Sequence, residues 1–201
     1  MNFPASIQKC IEAFSGLPTI GRKSAERFVF YLLKKSQTDL DIFADAIKNL
    51  KSGVTYCRAC GCFSESDPCN ICADTKRNQN LLCLVSTTRD MILIENTGSY
   101  SGRYHILGHS IDTIKGITPD QLNIKPLLQR LDANKDITEI ILALNPTFEG
   151  ETTALYLQKI LKEYTNINLT KLARGLPTGA ALEYADESTI TNALKNRTGG
   201  K

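Results

Sequence analysis

The sequence predicts an α+β chain of several units, with helices first, a cysteine-rich segment next and an α/β region with a central parallel sheet last. Three observations carry this reading: helical stripes in the first fifty residues, two Cys-x-x-Cys pairs between Tyr56 and Asp74, and short apolar runs alternating with helical stretches after Asn80. At 201 residues and 42% hydrophobic content the chain can bury a substantial core.

The N-terminal stripes are Ile7, Cys10, Ile11 and Phe14, then Ala25, Phe28, Val29, Leu32 and Leu33, then Leu40, Phe43, Ala44, Ile47 and Leu50. Each recurs at the spacing of one helix face. Between the first two, Ser15-Gly16-Leu17-Pro18-Thr19-Ile20-Gly21 enforces a tight turn, so a helix-hairpin-helix is expected. Its second helix would begin beside Gly21, where free backbone N–H groups and the helix dipole favour a phosphate oxygen. Arg22 and Lys23 follow at once, and Arg27 lies one turn beyond Lys23.

Net charge is only +3, so an anionic partner has to be met locally. Residues 1–36 hold six basic residues (Lys9, Arg22, Lys23, Arg27, Lys34, Lys35) against Glu12 and Glu26. Contacts from such a patch would be salt-sensitive and independent of sequence. The bland alternatives are a solvated helix face and a helix-packing corner.

Cys57-x2-Cys60 and Cys69-x2-Cys72 form two knuckles suited to a tetrahedral four-sulfur zinc site, one ion per chain. With four protein ligands no position remains for a reactive water, so the metal is structural and stands in for a missing core. Unligated or redox-active thiols are the alternative, and Cys62 stands close enough to compete. Cys10, on a helical stripe, and Cys83, in a strand, read as small buried apolar residues.

Strands are expected at Leu81–Val85, Tyr104–Leu107, Ile137–Leu144 and Ile167–Leu172, with helices including Leu122–Leu131 and Thr152–Tyr164 between them. The turn-rich Gly175–Gly179 leads to a short helix at Glu187–Lys195, and Thr198–Lys201 should fray. No run approaches the length of a membrane span. The start Met1-Asn2-Phe3-Pro4 lacks a signal peptide's basic head and apolar core, so a cytoplasmic protein is expected. There is no Walker A loop, dinucleotide fingerprint or nucleophile elbow, and His105 and His109 read as structural.

The hairpin Leu17–Gly21 and Lys23-Ser24-Ala25-x-Arg27 come first and the four-cysteine finger second. Asn145-Pro146-Thr147-x-Glu149-Gly150-Glu151, Ala173-Arg174-Gly175-Leu176-Pro177 and Leu182-Glu183-Tyr184-Ala185-Asp186-Glu187 then follow in order. In this order the motifs resemble the bacterial RecR family over essentially the whole chain. The resemblance implies a helix-hairpin-helix region at 1–53, a four-cysteine zinc finger at 54–76, a Toprim domain at 77–173 and a C-terminal segment at 174–201 that wraps onto a neighbour. It implies a nucleoid-associated, ring-like homotetramer that binds duplex DNA and single/double-strand junctions, with Gly21, Arg22, Lys23 and Arg27 at the DNA. It also implies work with RecO, and often RecF, to load recombinase on single-stranded DNA, with Glu149 and Glu151 on the partner-binding face.

Toprim enzymes hold magnesium with a glutamate after the first strand and an Asp-x-Asp pair after a later one. Here Ser86 and Asn145-Pro146-Thr147 occupy those places, which argues against catalysis. Asp90, Glu149 and Glu151 remain as carboxylates able to gather at most a weak ion. Thr19 and Thr118 stand where the family pattern has glycine. Two rival readings remain at this point. One is a Toprim nuclease, primase or topoisomerase, marked by magnesium-dependent nicking or synthesis; the other is a zinc-finger RNA-binding protein, marked by preference for structured RNA.

Overall fold

The computed structural model describes residues 3–199, so the expected fraying of Thr198–Lys201 falls partly outside the described residues. The chain divides into two compact units at Gly53/Val54.

The first unit consists of α1 (Ala5–Ser15), α2 (Arg22–Leu32) and α3 (Gln37–Asn49). Ile11, Ala25 and Val29 form its buried centre, flanked by Ile7, Phe14 and Ile20, so α1 and α2 pack through part of the two stripes read from the sequence, while Phe28 and Leu33 of the second are exposed. Cys10 departs from expectation: it sits at the border of the α1 stripe and is exposed, because Ile7, Ile11 and Phe14 take the inward positions. α3 is capped by Ser36, whose hydroxyl accepts from the Asp39 N–H, yet none of its residues is buried. Its Ile42, Phe43 and Ile47, with Leu50 just beyond, are exposed.

The second unit begins with a small hairpin, β1 (Thr55–Tyr56) antiparallel to β2 (Phe63–Ser64), and the one-turn helix α4 (Asn70–Ala73). A four-stranded sheet follows: β3 (Asn78–Val85), β4 (Gly102–Ile106), β5 (Glu139–Leu142) and β6 (Asn168–Lys171), in the order β4-β3-β5-β6 with every pair parallel. The crossovers run through α5 (Thr88–Glu95), α6 (Ile124–Ala133) and α7 (Phe148–Leu161). The chain ends in α8 (Glu187–Lys195), the expected span, with Asp186 accepting from the Thr189 N–H at its start.

Because side chains alternate across a strand, each central strand feeds both faces of the sheet. Leu82, Leu84, Ile140 and Leu142 join Leu127 and Leu131 of α6 and Leu157 and Leu161 of α7 in one core. Cys83, Val85, Tyr104, Ile106 and Ala143 face the other way, and there they meet Met91 of α5 together with Cys57, Cys60, Cys62 and Cys69. The cysteine segment is therefore not held by metal alone, as its lack of apolar periodicity suggested. It borrows the second face of the sheet as its core.

That docking also covers an edge. β4 is an outer strand, and unpaired edge groups invite pairing with other chains. On its open side the Gly102 carbonyl accepts from Arg77, the Tyr104 carbonyl from Arg130 at 2.7 Å, and the Ile106 carbonyl from Asn123 at 3.0 Å. The Ile106 N–H donates to the Cys60 carbonyl at 2.7 Å, so the finger supplies an acceptor to the same edge.

Candidate functional site

Three places carry chemistry-bearing residues, and the first is the start of α2. α3, α5, α7 and α8 each have a hydroxyl or carboxylate accepting from their first-turn N–H groups, whereas α2, behind Gly21, has no side-chain cap, as is also true of α1 and α6. No acidic residue lies in that first turn either. The uncapped N–H groups thus stay open to an external acceptor. Lys23 and Arg27 line a shallow groove with Glu26, Phe30, Tyr31 and Lys34, so the two expected cations share one surface. Arg22 lies apart from that lining and pairs with Glu26 at 3.3 Å. The aromatic rings of Phe30 and Tyr31 in this groove were not singled out from the sequence; their period-four offset from Glu26 and Arg27 was the available signal. The hairpin itself turns through Thr19 at φ 67°, a left-handed conformation that a β-branched residue adopts only with strain.

The second place is the finger. Cys57, Cys60, Cys62 and Cys69 are all buried, and their sulfurs lie within 4.8 Å of one another. Sulfurs about 2.3 Å from a tetrahedral zinc stand roughly 3.8 Å apart. The Cys60 and Cys69 sulfurs are 3.7 Å apart, so the cluster fits one such ion. Burial pushes the Cys57 thiol up, but backbone N–H groups of Cys69, Cys60 and Ala59 directed at its sulfur outweigh this and bring it down to about 7. Cys62, buried with fewer donors, is pushed up to about 12. Of the two knuckles read from the sequence, Cys57, Cys60 and Cys69 fall within the mutually close group. Cys72 does not; its half-buried thiol lies against those of Cys60 and Cys69. Cys83 is buried in the sheet, as expected, and burial raises it to about 12.

The third place is the carboxyl end of the sheet between β3 and β5, where the crossovers turn in opposite directions and α/β folds bind their ligands. Ser86, directly after β3, is buried and its hydroxyl meets that of Ser110 at 2.9 Å. After β5, Thr147 caps α7 by accepting from the Gly150 N–H at 3.2 Å. Only glycine serves at 150, because a Cβ there would sit 1.9 Å from the Asn145 carbonyl oxygen. The nearby carboxylates are engaged locally. Asp90 accepts from the Thr87 N–H and hydroxyl in a capping box. Asp112 binds the Lys115 ammonium at 3.0 Å, and this partner holds its carboxyl below the usual range. Glu149 is held low by its own N–H and the Thr147 hydroxyl. Glu151 pairs with Arg174 and, at 3.6 Å, with Lys171, which likewise lower it. The two glutamates expected on a partner face are therefore unlike: the charge of Glu151 is met by two ion pairs, and that of Glu149 by hydrogen-bond donors with a smaller contribution from the Lys115 charge. Among the described residues, no three of these carboxylates converge as metal ligands would.

Among the described residues no helix is long and apolar enough to cross a membrane. Comparison with known proteins gives matches in four segments. The chain matches family models for the RecR helix-hairpin-helix over residues 7–51, the RecR four-cysteine zinc finger domain over 54–74, the Toprim domain over 80–173 and the RecR C-terminal region over 175–198. Proteins named Recombination protein RecR from Staphylococcus aureus strains Newman and COL are each 42% identical to it over 198 residues, 98% of this chain and 99% of theirs.

Proposed function

This chain belongs to the RecR family, and on that premise we propose that it is a DNA-binding clamp and adaptor of recombinational repair that performs no covalent chemistry itself. The observation that carries the reading is the uncapped start of α2 with Lys23 and Arg27 on one groove. Backbone N–H groups and two flexible cations grip phosphate oxygens while leaving base edges unread, which suits duplexes and single/double-strand junctions of any sequence. Phe30 and Tyr31 add faces on which an unpaired base stacks.

The protein acts as a homo-oligomer, a tetramer in this reading, and α3 supports this, since its row of exposed apolar residues is what a second copy would cover. RecO, and with it RecF, are the partners in loading recombinase on single-stranded DNA, met through the face that carries Glu149, with Glu151 bracing that face through Arg174. Zinc, when bound by Cys57, Cys60 and Cys69 with Cys72 as fourth ligand, supplies a crosslink that holds the finger on the sheet. The protein works in the cytoplasm at the nucleoid. The engagement of Asp90, Asp112 and Glu151 in caps and ion pairs supports a role without catalysis.

Lys23→Ala with Arg27→Ala tests the reading by gel shift or anisotropy across a salt series. Losing two phosphate contacts should flatten the slope of log K against log salt by about 1.8, alike for unrelated sequences. Unchanged affinity and slope would remove the proposed DNA face.

A further inference from the structure

The knuckle around Cys57 carries one thiol more than a zinc knuckle requires. Gly61, at φ 81°, turns the chain back so that the Gly61 N–H donates to the Cys57 carbonyl at 2.7 Å and the Cys57 N–H donates to the Cys62 carbonyl at 2.9 Å. A Cβ at Gly61 would press on Asn123 and the Ile106 carbonyl, each at 3.2 Å, so the turn is also braced from the sheet side. This closed ring returns Cys62 toward Cys57, and the Cys62 sulfur joins the buried four-sulfur group. Cys72 meanwhile approaches Cys60 and Cys69 from α4, near the surface. Five thiols therefore surround a position that holds a four-coordinate ion.

We propose that Cys57, Cys60 and Cys69 hold the zinc throughout and that the fourth position is exchangeable, filled by Cys72 from the solvent side or by Cys62 from the sheet side. The inference rests on reading the segment as a zinc finger and goes beyond it. Zinc has no geometric preference beyond its four donors, so either of two sulfurs of one chemical type can complete the set begun by Cys57, Cys60 and Cys69, and exchanging them leaves the donor type and the site's charge unchanged. The two outcomes differ in what they leave over. With Cys72 bound, the spare thiol is buried against the sheet and silent; with Cys62 bound, the spare thiol is Cys72, half-buried and open to reagents. A finger built this way keeps its metal when its outermost ligand is alkylated or oxidised.

The test measures zinc per chain in the purified full-length protein together with mass-spectrometric mapping of thiols alkylated by iodoacetamide. The wild type should hold one zinc per chain, with Cys72 the modified finger cysteine, and should keep that zinc after Cys72 is alkylated. Cys72→Ala and Cys62→Ala should each retain one zinc, and the double substitution should lose it. Zinc loss in Cys72→Ala alone overturns the exchange while leaving the finger reading intact. A wild type that binds no zinc under reducing conditions overturns both.

Discussion

Replacing Arg130 by methionine tests whether the finger and the sheet stabilise one another. The guanidinium of Arg130, on α6, donates from one nitrogen to the Tyr104 carbonyl at 2.7 Å and to the Ala59 carbonyl at 3.1 Å, the latter inside the knuckle Cys57–Cys60. Methionine keeps most of the apolar stem and removes both donations. Tyr104 is fully buried, so its carbonyl loses a hydrogen bond from a charged donor, worth about 1.5–3 kcal/mol. The Ala59 carbonyl is near solvent and recovers a water, so its loss is a few tenths of that. Removing a cation whose burial already lowers its pKa returns part of its desolvation cost. The net expectation is destabilisation of about 2 kcal/mol, which in an opening equilibrium is a factor of about 30. Zinc transfer to a competing chelator should accelerate by that order, and apparent Tm should fall by roughly 4–8 °C. Arg130→Lys, able to reach one carbonyl, should fall between. Zinc release at the wild-type rate from a folded Arg130→Met protein would refute the coupling.

Two further outcomes follow from strained or buried groups. Thr19→Gly removes a Cβ from a left-handed residue, a relief of about 1–2 kcal/mol. The added freedom of the unfolded chain offsets about 0.5–1 kcal/mol of it, so denaturant unfolding should show a gain between zero and about 1.5 kcal/mol, and a loss would contradict the strain. His105 donates from Nε2 to the Asn123 carbonyl at 2.8 Å, its Nδ1 has no partner among the described residues, and burial lowers its pKa to about 4. Below pH 6.5 the unfolded chain takes up a proton that the folded one refuses, so the contribution of His105 to stability falls between about pH 6.5 and 4 and changes no further below that, where the paired carboxylates take over. His105→Gln should flatten this part of the stability curve relative to wild type, by an amount on the order of 3 kcal/mol across the window. Parallel curves for the two proteins would show that His105 does not titrate in this way.

What was legible in the sequence is what period and composition encode. Three strands of the main sheet, β3, β4 and β5, follow apolar runs that feed both buried faces, the edge strand β6 follows a run that is only half-buried, and α8 follows Asp186 as cap to its last residue, Lys195. The helix α5 was harder to read, because eight residues hold two turns and its clearest mark is the pair Thr87 and Asp90. Cys10 illustrates the limit of a stripe: one residue at the border of an apolar face turns outward without breaking the period. Legibility ends where partners are distant in sequence. Arg130 reaches Ala59 across 71 residues and Arg174 reaches Glu151 across 23, and nothing local distinguishes these arginines from solvated ones. For the same reason the docking of the cysteines on the sheet is invisible in a segment without periodicity, although the residues that accept it, Cys83, Tyr104 and Ile106, were each expected in strands.

The carboxyl end of the sheet shows how carboxylates beside a ligand-binding position can be engaged by the chain itself. Magnesium needs several oxygen ligands free to converge in a near-octahedral shell. Here three of the four carboxylates are first required by the chain that carries them: Asp90 starts α5, Asp112 holds the turn to Lys115, and Glu151 fixes Arg174, whose carbonyl in turn accepts from Asn196 just beyond α8. Restoring a glutamate at Ser86 would supply one ligand and leave the others committed, while breaking the Ser86–Ser110 contact. Freeing Glu151 would cut the link from α7 through Arg174 to the C-terminal helix. The same charges cannot both organise an ion and hold these loops, and the observed pairings favour the loops. Those pairings make the end of the sheet a fixed surface, as the adaptor role proposed above requires.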